Sequence, residues 1–199
     1  GALLPTEFKT DVKMGHLKIC VYFRGKDRNG IIRTMSEFMA NFSAACDLEL
    51  DGYKGKYRGF LTADDFEKTI TKRRYKINLE FDGYFYDDEI AVMFDGVTSG
   101  SFSLVGSRRT PCIVEVCAKS AVTDYVIKGL CDDDITVQSL AAGKTVIIDG
   151  IKGTVTMSGE NAFGNVNLWE FPSIKVGETL MMFSSDKAKV TVRYHPMWI

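Results

Sequence analysis

The chain has 199 residues, of which 45% are hydrophobic, so it is long enough for one large domain or two small ones. Its 25 Lys and Arg residues nearly balance its 26 Asp and Glu residues, which argues against a general attraction to nucleic acid or anionic membranes. No run of about 18 apolar residues is present, so we expect no membrane insertion. From the balanced charge we expect no sequence-specific binding of nucleic acid.

The start of the chain and its cysteines give two further expectations. Residues 1–6 lack a Met, a basic segment and a long apolar core, so they are not a signal peptide, and how much native N-terminus precedes Gly1 stays open. The five cysteines are odd in number and lie mostly in apolar segments, which favours reduced thiols over a disulfide framework. Cys112 and Cys117 are expected to face opposite sides of one strand.

The first half begins with a predicted strand and a predicted helix. Apolar and polar residues alternate over residues 16–23, which is the period of a strand with one buried face. Over residues 28–46 the apolar spacing changes to three and four, which predicts an amphipathic helix of about four or five turns. Asp27 is the expected N-cap of this helix. Phe38 and Phe42 lie on its apolar face and are expected to be buried against a sheet.

Strands follow this helix. Residues 48–50 and 57–61 predict short strands, and the Asp51-Gly52 pair between them predicts a turn. Residues 69–86 contain the clearest strand of this half, with apolar residues facing inward at alternate positions. One main helix packed on a mostly antiparallel sheet, an α+β domain, is the fold that this order predicts.

Helical periodicity disappears in the second half. The polar stretch over residues 87–101 is interpreted as a flexible connection, so we predict two domains, residues 1–88 and residues 89–199. Beyond it, short strands recur at a spacing of about ten residues, which favours an all-β sandwich or jelly roll. The predicted strands are residues 112–117, 124–130, 135–137, 145–148, 154–157, 180–183 and 189–194.

The end of the chain carries a family resemblance. Phe171-Pro172 precedes a turn at Gly177, two strands follow, and the last six residues are Tyr-His-Pro-Met-Trp-Ile. This ending resembles that of the distal tail protein (Dit) family of long-tailed siphophages, with its Phe-Pro turn and Tyr-x-Pro-x-Trp terminus. The first half is similar to the same family in its order of strand, Arg24-Gly25 turn, helix, hairpin and long strand. The resemblance spans nearly the whole chain, although each motif is short.

The resemblance implies a structural phage or prophage tail protein without catalytic activity or cofactor. It implies a baseplate hub at the virion tail tip, assembled in the bacterial cytoplasm as a homohexameric ring that joins the tail tube to host-adhesion proteins. The N-terminal domain would build the ring, and the C-terminal domain would be a galectin-like sandwich that contacts tail-tip proteins, a receptor-binding protein or a host glycan. The first strand of the family is short or absent here, which leaves ring closure by that strand in question.

Four basic residues are the candidate contacts between subunits of such a ring. A ring can share hairpins or sheet edges between neighbours, so we place these contacts at Lys54, Lys56, Arg73 and Arg74. The cluster at residues 72–74 could also face DNA in a tail channel. A solvated strand face or an ion pair between subunits is favoured, because tight DNA binding would hinder passage.

A second cluster suggests an alternative function. Asn165, Asn167, Trp169 and Glu170 form a candidate carbohydrate contact, since a Trp face stacks on sugar C–H groups while amides and carboxylates bind hydroxyls. The residue constellation of galectins is not present, and a core or interface role for Trp169 is favoured. The alternative is a carbohydrate-binding module that contacts host cell-wall glycans.

No catalytic, metal or cofactor site is predicted. The acidic triplet at residues 132–134 lacks the spacing of an EF-hand loop and is interpreted as a solvated turn. His16 and His195 lie in no motif for nucleophilic catalysis. Carboxylates that pair in space, as in glycoside hydrolysis, are not visible in a sequence.

Overall fold

The computed structural model describes residues 15–68 and 74–198, and most of these residues lie in β-strands. The chain divides into two compact units, one that ends at Asp87 and one that covers Asp88–Trp198. In the described part of the chain, no helix has the length and apolar character needed to cross a bilayer.

The first unit is an antiparallel sheet with one α-helix, as far as the described residues show. Its elements are β1 (Gly15–Arg24), α1 (Arg28–Met39), a 3-10 helix (Ala40–Phe42), β2 (Cys46–Leu48), β3 (Lys56–Lys68) and β4 (Arg74–Tyr86). The strands lie in the order β1-β4-β3-β2, so β4 pairs along its length with both β1 and β3. A β-bulge interrupts the β3–β4 ladder between Leu61 and Ala63.

The helix begins as predicted and ends earlier. The side chain of Asp27 accepts a hydrogen bond of 2.8 Å from the Gly30 amide, which confirms the N-cap. The α-helix ends at Met39, and Cys46 already begins β2, so the predicted end at residue 46 is wrong. The helical spacing of apolar residues in the sequence extends beyond Met39 because the 3-10 helix keeps Phe42 on the same side as Phe38. The centroids of the two rings lie 5.1 Å apart.

Apolar residues from helix and sheet form the core of the first unit. The inward face of β4 is confirmed, since Ile77, Leu79 and Phe81 are almost completely buried. The rings of Phe38 and Phe42 are half-buried rather than fully enclosed, although they pack against this core. Phe42 lies edge-on to Phe81 with ring centroids 5.3 Å apart.

A row of glycines crosses three strands of this sheet. Gly83 in β4 lies opposite both Gly15 in β1 and Gly59 in β3. Tyr57 is 1% exposed, and its ring lies so close to Gly59 that a Cβ on that glycine would be 2.6 Å from ring carbon Cε1. The Tyr57 hydroxyl lies 2.8 Å from the Gly15 carbonyl oxygen and 3.0 Å from the Phe81 carbonyl oxygen. The absence of a side chain at Gly59 thus leaves the space that this ring occupies.

The second unit is a β-sandwich. Its strands are β5 (Ile90–Asp95), β6 (Ser99–Leu104), β7 (Thr110–Ala118), β8 (Val122–Lys128), β9 (Ile135–Leu140), β10 (Thr145–Asp149), β11 (Thr154–Met157), β12 (Glu160–Asn161), β13 (Val166–Asn167), β14 (Ser173–Ile174), β15 (Gly177–Phe183), β16 (Ala188–Tyr194) and β17 (Met197–Trp198). One antiparallel sheet has the order β12-β11-β10-β7-β16-β5, with β14 paired to β7, and the other has the order β13-β9-β8-β15-β6. A short 3-10 helix, Phe163–Asn165, precedes β13.

Alternate residues of both sheets fill the core between them. Val114 and Val116 of β7 are fully buried, as are Ile127 of β8 and Val137 of β9. Cys112 is buried while Cys117 is half-buried five positions later on β7, which confirms that the two cysteines face opposite sides.

The stretch over residues 87–101 differs from its interpretation as a flexible connection. It contains all of β5 and the start of β6. β5 pairs with β16 and β6 pairs with β15, so the partners of both strands lie far ahead in the sequence. The local polarity of Asp87, Asp88 and Glu89 gives no sign of these distant partners.

Candidate interaction surfaces

Trp169 lies on a loop that joins the two sheets of the second unit. The loop runs from β13, which pairs with β9 in one sheet, to β14, which pairs with β7 of the other sheet. Trp169 is 87% exposed, so it is not part of the core. An indole ring with this exposure is unusual, because large aromatic side chains normally bury most of their surface.

The loop that carries Trp169 is held by Glu170, the next residue. One carboxylate oxygen of Glu170 accepts a hydrogen bond of 2.7 Å from the Asp132 amide and lies 3.5 Å from the Arg109 guanidinium. Arg109 also donates through Nε to Ser173 Oγ at 2.6 Å. The thiol of Cys131 donates to the Glu170 carbonyl oxygen across 3.6 Å. We name Arg109, Asp132, Glu170 and Ser173 the loop brace.

The other predicted carbohydrate contacts differ in exposure. Asn167 is exposed on β13, and Asn165 is half-buried at the end of the 3-10 helix. The carboxylate of Glu170 is part of the loop brace. It already binds the Asp132 amide and Arg109, so its main role is to hold the loop and not to bind a sugar. Phe163 adds a second exposed aromatic ring, which lies 6.2 Å from the ring of Phe171. Trp169 and Asn167 are therefore the accessible members of the predicted set.

The predicted ring contacts lie partly inside the described residues. Lys54 is exposed in the connection between β2 and β3. Lys56 begins β3, and its ammonium group lies 2.9 Å from the Glu49 carboxylate, which raises the pKa of Lys56. Arg73 lies outside the described residues. Arg74 begins β4, where its backbone pairs with Arg24, and its side chain lies outside the description.

The sheet face of the first unit opposite the helix carries paired charges. His16 Nδ1 lies 2.6 Å from an Asp82 carboxylate oxygen, and its Nε2 lies 3.5 Å from the Glu80 carboxylate. Lys18 lies 2.7 Å from the other Glu80 oxygen, and this hydrogen bond lowers the pKa of Glu80. These contacts are cross-strand pairs between β1 and β4, which explains the position of His16 without a catalytic role.

The acidic triplet at residues 132–134 is engaged by lysines. Lys175 lies 2.8 Å from Asp132 and lowers the pKa of that carboxyl group through its hydrogen bond. Lys128 lies 2.6 Å from Asp134. Within residues 15–68 and 74–198, no group of three His, Cys, Asp or Glu side chains is placed to hold a metal ion.

Two of the cysteines are poor nucleophiles at neutral pH. Burial raises the pKa of Cys112 well above its usual value and raises the pKa of Cys131 to about 11. A thiolate is the reactive form of cysteine, so both groups are held in their unreactive form.

Two features were missed by the sequence analysis. Arg109 and Ser173, which brace the Trp169 loop, lie 64 residues apart, and no local pattern links them. Leu180 and Met182 are exposed on the outer face of β15. The strict alternation of β15, in which Met181 and Phe183 are buried, was the signal for that exposed pair.

The chain shares sequence and fold features with phage tail proteins. Residues 105–198 match the family model for siphovirus-type tail components, C-terminal domain. No curated protein matches the sequence. Among solved structures, SPP1 Dit (gp 19.1), described as a paradigm of the hub adsorption apparatus in phages that infect Gram-positive bacteria, matches with a TM-score of 0.71. The identity is 11%, over 92% of this chain and 79% of that chain.

Two structures of the phage P2 baseplate in its activated conformation, with Ca and with Sr, also match. Each has a TM-score of 0.45 and 11% identity, over 90% of this chain and 78% of that chain. Residues 105–198 are therefore similar to the C-terminal domain of siphovirus-type tail components, and the chain shares its fold with SPP1 Dit.

Proposed function

We propose that this tail component is the baseplate hub of a siphophage tail tip, a homohexameric ring that joins the tail tube to host-adhesion proteins. The observation that carries the proposal is the family match in the second unit combined with a shared fold over 92% of the chain. In this proposal the first unit, within residues 1–88, forms the ring. The second, within residues 89–199, is a galectin-like sandwich that contacts tail-tip proteins.

The sheet of the first unit offers edges for ring contacts. β2 pairs only with Tyr57, Arg58 and Gly59, so it leaves the rest of β3 without a partner on that side among the described residues. The edge of β3 beyond Gly59 carries Asp64 and Asp65, which are exposed acidic residues. A neighbouring copy that brings basic residues such as Lys54 or Lys56 to this edge would form a heterologous contact, the type that closes into rings.

Electron microscopy of the purified full chain, with light scattering, tests the ring. We expect particles with a central hole and a mass of about six copies, because heterologous contacts that close by rotation give one defined copy number. Lys54→Glu combined with Lys56→Glu should reduce assembly, while Lys144→Glu, an exposed lysine of the second unit, should leave it intact. A full chain that stays monomeric at every concentration would contradict the ring.

The same proposal assigns no catalysis to the chain. His16 is paired with two carboxylates on the sheet surface, and burial holds Cys112 and Cys131 in their neutral form. These arrangements support a structural role. The proposed virion component would be made and assembled in the bacterial cytoplasm before it joins the tail.

A second candidate function is favoured by one observation, the 87% exposure of Trp169. A flat indole face on a loop with braced neighbours can stack on the C–H face of a sugar ring, and Asn167 can bind hydroxyl groups beside it. Host cell-wall glycans are the ligands that this second function would take.

A glycan array with the full chain tests the second candidate. Binding should be lost in Trp169→Ala, while the thermal midpoint stays the same because the side chain buries little surface. Leu180→Ala removes an exposed apolar side chain elsewhere on the same unit and should leave glycan binding unchanged. Binding that survives Trp169→Ala would exclude Trp169 as the sugar platform.

A further inference from the structure

The edge strands on the two sides of the sandwich differ in length. On one side the sheets end at β12 (Glu160–Asn161) and β13 (Val166–Asn167), with two residues each. On the other side they end at β5 (Ile90–Asp95) and β6 (Ser99–Leu104), with six residues each. Very short edge strands protect a sheet against pairing with other chains, and this protection is present on one side alone.

β6 lacks the usual features that block an edge strand. All six of its residues pair with β15, so the strand is continuous and carries no bulge. Its sequence, Ser-Gly-Ser-Phe-Ser-Leu, contains no charged residue and no proline. By contrast, β5 ends in Asp95, whose carboxylate lies 2.5 Å from the Lys119 ammonium group. Among the described residues, no strand pairs with the outer edge of β6, so its outward amides and carbonyls are open to a partner.

On the exposed face of this sheet, small side chains of β6 are paired across the strands with large apolar side chains of β15. Ser101 lies opposite Leu180, and Ser99 lies opposite Met182. Leu180 is 57% exposed and Met182 is 45% exposed. Adjacent strands lie about 4.8 Å apart, so a strand added at β6 would lie about 10 Å from β15, with only the short serine side chains between. Large side chains on the added strand would reach across the serines to the two apolar groups.

We propose that the outer edge of β6 binds an extended segment of another polypeptide, which adds to the sheet as a strand and carries large apolar residues at alternate positions. The backbone ladder supplies the hydrogen bonds, and contact with Leu180 and Met182 selects the side chains. β6 itself carries no charge, and the charged side chain of β15 on the same face is Glu178, opposite Ser103, so apolar residues are favoured where the added strand faces Leu180 and Met182.

A second copy of this chain is a poorer occupant of the same edge. Paired β6 strands would place serine beside serine, and Leu180 and Met182 would stay uncovered on both copies. A sugar is also a poorer occupant, since the edge offers backbone amides in a strand register and no exposed aromatic face. The partner segment must therefore carry large side chains beside the serines of β6.

Peptide binding to the full chain tests this inference. The probe is a fluorescein-labelled peptide of about ten residues in which Leu alternates with Thr, compared by fluorescence polarisation with a scrambled peptide of the same composition. We expect the alternating peptide to bind and the scrambled peptide to bind at least about tenfold more weakly. Hydrogen exchange should slow at the amides of β6 when the alternating peptide is bound, and should stay unchanged in β5.

Two substitutions and a matched control locate the site. Ser101→Lys places a charge at the edge and should weaken binding by at least about tenfold, since lysine on an edge strand commonly prevents pairing with another chain. Leu180→Ser keeps the edge and removes the apolar contact, so it should weaken binding by about the same factor. Ser139→Lys, at an exposed position of the interior strand β9, should leave binding unchanged. Thermal midpoints establish whether each variant is folded. If Ser101→Lys is not folded, peptide binding by Leu180→Ser and the hydrogen exchange of β6 decide whether the peptide binds at this edge.

Several outcomes would overturn the inference. One is equal binding of the alternating and scrambled peptides, or the absence of binding up to the solubility limit of the peptide. Another is binding that neither Ser101→Lys nor Leu180→Ser weakens. Protection of β6 amides that rises with the concentration of the chain alone would show a second copy as the occupant. The test does not depend on ring assembly, which electron microscopy measures separately.

Discussion

Gly83 of β4 lies so close to Gly59 of β3 that a Cβ on Gly83 would lie 2.6 Å from the Gly59 Cα, a distance that real Cβ atoms essentially never show. The same Cβ would also clash with the Arg58 carbonyl oxygen. Both contacts are with backbone atoms, which cannot turn aside as a side chain can. Alanine at Gly83 therefore requires two paired strands to move apart.

Gly83→Ala should destabilise the protein by about 3 kcal/mol or more, because it forces a backbone shift in the centre of the sheet. Gly30→Ala is the matched control, since a Cβ there would make only an ordinary contact of 3.5 Å with the Asp27 carboxylate. In α1 that change should stabilise by about 0.5–1 kcal/mol, because alanine has the higher helix propensity. Urea unfolding of both variants checks the prediction, and a Gly83→Ala protein with normal stability would refute the close packing.

Two buried tyrosines should respond oppositely to loss of the hydroxyl. The Tyr57 hydroxyl hydrogen-bonds to backbone carbonyls, so Tyr57→Phe should cost about 1 kcal/mol. The Tyr125 hydroxyl is buried and has no hydrogen-bond partner among the described residues, so Tyr125→Phe should be neutral or stabilising by up to about 1 kcal/mol. Thermal unfolding of the two variants side by side measures the difference. A larger loss in Tyr125→Phe would mean that its hydroxyl is bonded.

Stability should fall at alkaline pH. Burial raises the pKa of Tyr57 from 10.0 to about 12, and that of Cys131 from 9.0 to about 11. Between these values the unfolded chain binds fewer protons than the folded chain, so the stabilisation is complete below about pH 9 and is lost as pH rises through the folded pKa values. Urea midpoints from about pH 8 to about pH 11 should decrease steadily. A flat profile would show that these groups ionise freely in the folded state, and Cys131→Ser should reduce the early part of the decrease.

The loop brace should hold the Trp169 loop in place at little cost to global stability. Glu170→Ala removes the acceptor for the Asp132 amide, so that amide should exchange its hydrogen faster. Because the side chains of Glu170 and Arg109 are both more than one third exposed, the global loss should stay below about 1 kcal/mol. Glu178→Ala, at an exposed position of β15, is the control and should change neither quantity. Unchanged exchange at Asp132 would show that the loop is held by other contacts.

The half-buried rings of Phe38 in α1 and Phe42 in the 3-10 helix that follows it give a graded prediction. If the Phe38 ring were fully buried, Phe38→Ala would cost about 3–5 kcal/mol, and its partial exposure lowers the expected cost to about 2–3 kcal/mol. Phe42→Ala should cost a similar amount, since its ring contacts Phe81. An unchanged thermal midpoint in both variants would mean that the apolar face of the helix is wrongly assigned.

Local periodicity was enough to predict the elements whose patterns lie within one segment. The alternation in β4 predicted which residues face inward, and the carboxylate of Asp27 predicted the start of the helix. β5 and the start of β6 were missed because their burial depends on β15 and β16, strands about 80 to 100 residues later.

The candidate surfaces were harder to predict than the fold. Trp169 and Phe171 are both aromatic and lie on either side of Glu170 in the chain, yet Trp169 is exposed and Phe171 packs against the core. The residue between them, Glu170, is held by Arg109, which precedes β7, and by Asp132, in the connection between β8 and β9. A sequence alone does not show these tertiary contacts.

The Tyr57 hydroxyl links β3 to β1 and β4 through the carbonyl oxygens of Gly15 and Phe81. A slide of β1 by one position would turn its apolar side chains to the opposite face of the sheet. A slide by two would keep the faces but would move the Gly15 carbonyl oxygen away from the Tyr57 hydroxyl, which now donates to it at 2.8 Å. One side chain of β3 therefore holds backbone oxygens of both β1 and β4, so a shift of either strand would cost this hydrogen bonding as well as the pairs of the ladder.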